Sequence, residues 1–130
     1  MFAPLSASSS SGAAAGPALR RTGFHVELNE VDTTVVLRLE GELDTATARE
    51  LRAALDSAMA GEATAIVLDL AELSFIDSTG IGVFLAASHQ AETRGRSFAL
   101  RHPVRMVRKV LHLTGVDRLV TIEASEACTG

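Results

Sequence analysis

The sequence predicts an α/β fold. A mixed, largely parallel sheet of four to five strands would carry an antiparallel hairpin at its N-terminal side and be packed by helices. Three observations predict it. Phe24, Val26 and Leu28 alternate with His25, Glu27 and Asn29, and Val35, Leu37 and Leu39 alternate with Val36, Arg38 and Glu40, which is the period-two signature of two half-buried strands. Ala65-Ile66-Val67-Leu68 is apolar at every position, as expected of a central strand. The segments that follow repeat their apolar residues at helical spacing, and strands alternating with helices imply parallel pairing through crossovers.

A chain of 130 residues supports one domain with a single core. A net charge of −4 and the absence of Trp and Tyr argue against a nucleic-acid binder, which needs a basic footprint or stacking platforms. The lone Cys128 cannot staple the fold, and reduced cytoplasm suits it best. Residues 1–21 are rich in Ala, Ser and Gly and are expected to be a disordered tail. They lack the basic start and sustained apolar run of a signal peptide. Arg20-Arg21 is followed by His25 and Glu27 where a twin-arginine signal would need apolar residues. The domain is expected over 22–124 and a flexible C-terminus over 125–130, and no stretch reaches the roughly 18 apolar residues of a membrane span.

Within the domain, Val31-Asp32-Thr33-Thr34 reads as the hairpin turn, and Gly41 is expected to stop the second strand. Asp44 or Thr47 opens the first helix, Thr47 with Glu50 at capping-box spacing. Its buried face would be Ala48, Leu51, Leu55, Ala58 and Met59, with Gly61 as the stop. A central strand runs from about Ala65 to Leu70, with Asp69 at its end. After a short loop, a second helix spans Ser78 to about Arg94, with a stripe of Ile81, Phe84, Leu85 and Ser88, and ends at Gly95. Ser97–Arg101 is a fourth strand. Pro103 suits the first turn of a third helix, whose apolar face is Val104, Val107, Val110 and Leu111. Gly115 closes it, and Leu119–Ile122 is a last strand.

The informative stretch is Phe75-Ile76-Asp77-Ser78-Thr79-Gly80-Ile81-Gly82-Val83-Phe84. Asp77, Ser78 and Thr79 are all good N-cap residues. Gly80 and Gly82 each cost about 1 kcal/mol against Ala in a helix, so two of them imply that a neighbouring strand or a partner protein approaches this backbone closely. A helix N-terminus tolerates a phosphate, and phosphorylating Ser78 would add about −1.5 to −2 charges beside Asp77.

Other chemistries fail on spacing. Aspartic-protease chemistry needs two paired carboxylates, and the motif occurs once. Leu85 stands where a dinucleotide fingerprint needs its third glycine. Ile76 stands where a hydrolase elbow needs glycine. His25, His89, His102 and His112 have no common ligand spacing, so no metal site is expected. The basic residues Arg101, Arg105, Arg108 and Lys109 read as a solvated face, with contact to an acidic partner or lipid headgroups as the alternative.

Ile76-Asp77-Ser78-Thr79-Gly80-Ile81-Gly82-Val83-Phe84 closely resembles the phospho-acceptor segment of bacterial anti-sigma factor antagonists, of the STAS domain family. Leu39-Glu40-Gly41-Glu42-Leu43-Asp44 resembles the family's strand-to-helix turn ending in an acid. The order of elements fits the family from about Phe24 to Glu123. The resemblance implies a regulatory protein, not an enzyme, with no cofactor of its own. The unmodified form would bind an anti-sigma factor that is also a serine kinase, and so free a sigma factor. Phosphorylation at Ser78 would end that binding, and a PP2C-type phosphatase would restore it. Asp44, Asp77, Thr79, Gly80, Ile81 and Gly82 are the partner-binding residues it implies, with Thr79 the nearest competing hydroxyl. Two alternatives remain at this point. One is a STAS subunit of a lipid-transport or sensory complex. The other is a small module binding nucleotide or phosphate at the Gly80–Gly82 helix end.

Overall fold

The computed structural model describes residues 23–123. The expected tail over 1–21 and the C-terminal residues 125–130 lie outside the described residues. The element order is β1 (Phe24–Val31), β2 (Thr34–Leu43), α1 (Ala48–Ala60), β3 (Ala65–Ile76), α2 (Ser78–Thr93), β4 (Ser97–Arg101), α3 (Arg105–Leu113), α4 (Val116–Leu119) and β5 (Thr121–Glu123). The five strands lie in chain order across one sheet. β1 pairs antiparallel with β2, and every later pair is parallel. This is the mixed, largely parallel sheet with an N-terminal hairpin that the alternation and the apolar run predict.

Alternation also fixes the core. Val35, Leu37 and Leu39 of β2, Ile66, Leu68 and Leu70 of β3, and Phe98 and Leu100 of β4 are buried together. Leu51 and Met59 of α1, Phe84 of α2, and Val107 and Leu111 of α3 join the same cluster. The residues one step out of phase, Arg38, Asp69 and Arg101, line a groove of about 790 Å³ with Glu27 and Val36. Among the described residues no helix is long and apolar enough to cross a membrane.

Four expectations need correction. Gly41 does not stop β2: it pairs with Phe24 across the hairpin, and the strand runs on to Leu43. Its φ of 102° and the Gly23 carbonyl, on which a Cβ would fall, explain the glycine. β3 is longer than Ala65–Leu70. It continues to Ile76, because its second half pairs with the extended β2 through register shifts, and only Asp77 separates it from α2. The Thr47–Glu50 capping box does not form, since the Thr47 side chain makes no cap hydrogen bond to α1. Leu119 belongs to the short helix α4 and is 70% exposed, so β5 begins only at Thr121.

Candidate functional site

β2 and β3 are neighbours and parallel, so the turns that leave their C-terminal ends lie side by side. Leu43↔Ile76 is their last register pair. The next residues, Asp44 and Asp77, are the two acids that the sequence singles out. The Asp77 amide donates to the Leu43 carbonyl at 3.2 Å, which ties the second motif to the first.

Asp77 is the N-cap of α2, with extended backbone. One carboxylate oxygen accepts from the Thr79 amide at 2.9 Å and the Gly80 amide at 3.2 Å. Two of the helix's otherwise unpaired donors are thereby satisfied, and a negative charge sits at the positive end of the helix. Asp44 works the same way one turn before α1. Its Oδ1 accepts from the Ala46 and Thr47 amides at 3.0 and 3.1 Å. The Asp44 amide in turn donates to the Thr47 hydroxyl at 3.0 Å. The two sequence candidates for opening α1 thus act together, Asp44 as the acceptor and Thr47 as the hydroxyl folded back on it.

Thr45, which sequence reasoning passed over, joins the two turns. Its hydroxyl lies 3.1 Å from that of Thr79. Nothing in the sequence signals a contact across 34 positions; only the parallel pairing of β2 and β3 creates it. Ser78 is the first residue of α2 and is exposed, and its hydroxyl takes no part in these bonds.

The glycines divide. A Cβ on Gly80 would come within 2.8 Å of Ile76 Cγ1 and of Leu43 Cδ2 and Cγ, both of them buried side chains. The first turn of α2 therefore sits directly on the ends of β2 and β3, and the close approach that the sequence implied at Gly80 is internal. Gly82 has open space where its Cβ would stand and is exposed. Ile81 is buried in the core. Of the expected low apolar surface Gly80-Ile81-Gly82, only Gly82 faces outward; Gly80 and Ile81 hold the helix down. Phe75 adds a half-exposed aromatic on the approach to the same turn.

In chemical terms this edge offers an unengaged hydroxyl, a capped helix N-terminus and little steric cover. One Asp77 oxygen, Oδ1, is taken by the two amides at the head of α2.

The family model for the STAS domain matches residues 25–128. An anti-sigma F factor antagonist from Lysinibacillus sphaericus is 36% identical over 95 residues, covering 72% of this chain and 81% of that protein. The solved structure of the anti-sigma factor antagonist SpoIIAA in its unphosphorylated form is 32% identical, with a TM-score of 0.66 over 80% of this chain and 92% of that one. The Bacillus cell fate determinant SpoIIAA in its phosphorylated form is 31% identical, with a TM-score of 0.61 over 80% of this chain and 96% of that one. With its sheet, its hairpin and its two acid-capped turns, the chain belongs to the STAS domain family.

Proposed function

We propose that this protein is an anti-sigma factor antagonist switched by phosphorylation of Ser78. The observation that carries the reading is the exposed, unengaged Ser78 hydroxyl at the capped N-terminus of α2, beside the Asp44 turn. The likeness to antagonists solved in unphosphorylated and phosphorylated forms supports it. In the unmodified state the edge formed by Asp44, Ser78, Thr79 and Gly82 binds an anti-sigma factor that is also a serine kinase. Asp77, Gly80 and Ile81 fix the geometry of that edge from within. The kinase holds ATP and transfers its terminal phosphate to the Ser78 oxygen. A PP2C-type phosphatase hydrolyses the ester and returns the hydroxyl, and the antagonist itself is a binding protein of the cytoplasm.

The fold tolerates the phosphate because the helix end is electropositive. The complex does not, because about two negative charges enter a closed contact. Affinity capture from native lysate tests this. Wild type and Ser78→Ala should retain an anti-sigma factor with ATPase character, and Ser78→Asp should lose it. Equal retention by all three would refute the switch.

A further inference from the structure

Three hydroxyls stand together where the two turns meet, on Thr45, Ser78 and Thr79, and they are not equivalent. Ser78 is exposed, and its hydroxyl takes none of the bonds that organise the turns. Thr79 is half-buried, and its hydroxyl lies 3.1 Å from that of Thr45. The acids fix both ends of that bond. Asp44 Oδ1 accepts from the Ala46 and Thr47 amides, which follow Thr45 directly. Asp77 Oδ1 accepts from the Thr79 amide itself. The Asp77 amide, bonded to the Leu43 carbonyl at 3.2 Å, holds the two turns against each other. With both backbones held, the hydroxyl pair has little left to order beyond two χ1 torsions, and β-branching already restricts those.

Phosphoryl transfer sets a requirement that only one of the two adjacent hydroxyls on α2 meets as it stands. The acceptor oxygen bonds to phosphorus while the bond to the departing nucleoside diphosphate breaks, and the hydroxyl proton passes to a base on the kinase. Successive residues of a helix point about 100° apart, so a kinase aligned on Ser78 meets the Thr79 oxygen only if that side chain turns outward. Turning it outward breaks the bond to Thr45, whichever of the two hydroxyls donates. Ser78 has no such bond to break.

We propose that Thr45 is a positioning residue that withholds the Thr79 hydroxyl from the kinase and so favours Ser78 as the acceptor. This rests on the antagonist reading above and deepens it, by naming what selects one of two neighbouring hydroxyls. Loss of one neutral hydrogen bond of ordinary net strength corresponds to a factor of about two to ten in the rate at Thr79. The selecting residue lies 34 positions away from the one it restrains, on a different turn.

The test uses the full chain and the anti-sigma factor captured by Ser78→Ala, with the latter in excess and supplied with ATP, so that single-turnover rates do not depend on affinity. Phosphopeptide mass spectrometry follows Thr79 in S78A, S78A/T45V, S78A/T45A and S78A/T45S. Valine keeps the shape of Thr45 without its hydroxyl, and serine keeps the hydroxyl. Phosphate should reach Thr79 about two- to tenfold faster in S78A/T45V and S78A/T45A than in S78A, and no faster in S78A/T45S. Thr45 is exposed, and thermal melts check that each variant folds. Equal rates in S78A and both hydroxyl-free variants overturn the proposal. So does a serine variant as fast as the valine one, because the hydroxyl is then not what restrains Thr79. Phosphate on Thr45 in S78A, or on Thr79 in none of the four variants, overturns it as well. In each of these cases wild type labelled at Ser78 leaves the switch itself standing, whereas wild type without label at Ser78 removes the phosphorylation reading and the role of Thr45 with it.

Discussion

Substituting alanine at Gly82 and, separately, at Gly80 should move stability in opposite directions, although the two glycines stand two residues apart in the same helix. A Cβ on Gly82 meets nothing within 4 Å, so the variant gains the helix-propensity difference of about 1 kcal/mol. A Cβ on Gly80 lands 2.8 Å from Ile76 Cγ1 and from two carbons of Leu43, against a comfortable separation of about 3.5–4.0 Å. Leu43 is 0% and Ile76 4% exposed, so neither swings into solvent. Overpacking of this kind costs about 1–3 kcal/mol. Set against the same gain of about 1 kcal/mol in propensity, Gly80→Ala loses about 1 kcal/mol net. The variants should therefore differ by about 2 kcal/mol, or roughly 10 °C in melting temperature for a domain of this size. Urea titration and thermal melts measure both. Binding adds a second axis: the outward methyl of Gly82→Ala should weaken partner binding about tenfold, by overpacking of about 1–2 kcal/mol at the contact, in a protein more stable than wild type. General damage cannot produce that combination. Destabilisation by Gly82→Ala, or equal stabilisation by both, would refute the division of the glycines into one internal and one outward.

Removing the α2 cap with Asp77→Ala should cost about 1–2 kcal/mol, since two amides lose their acceptor; urea midpoints report it. Gly41→Ala should cost more, at least about 2 kcal/mol, because its φ of 102° and the Gly23 carbonyl both oppose a side chain; the soluble fraction and the melt report that. Glu50 has its carboxyl raised by partial burial, an effect opposed by nearby His25. A raised folded-state value means that the ionised form disfavours the fold. The cost is present above the raised value and disappears as pH falls below the ordinary range near 4.5. The stability difference between Glu50→Gln and wild type should accordingly shift toward the glutamine variant as pH rises from about 4 to about 7. The side chain is largely exposed, so the shift should be small.

Much of this molecule was legible because period-two alternation and helical spacing report burial directly. β1, the body of β2, α1, α2 and α3 lie where Phe24, Leu37, Leu51, Phe84 and Val107 put them. The misreadings at Gly41 and at the end of β3 share a cause, which is that local signals gave way to pairing. Gly41 looks like a stop in isolation. With Phe24 opposite and the Gly23 carbonyl above, it is a passage through which β2 continues. The Ala71–Phe75 segment carries a charge at Glu72 and loses its apolar run, yet the lengthened β2 gives it backbone partners. At the site, residue type narrows the cap to Asp77, Ser78 or Thr79, and the end of β3 at Ile76 selects Asp77. The opposite orientations of Gly80 and Gly82 do not follow from residue type, nor does the Thr45–Thr79 contact, since each depends on which strand lies beneath the helix.

The most direct test of the central claim is a calorimetric titration of the anti-sigma factor with this protein in two forms, unmodified and phosphorylated at Ser78, with the phosphate position verified by peptide mass spectrometry. A single unit-charge repulsion at about 4 Å and an effective dielectric of about 20 is worth about 4 kcal/mol, so the phosphorylated form should bind about a thousandfold more weakly. Equal affinity for the two forms would contradict the account and leave Ser78 as the first residue of a capped helix and nothing more.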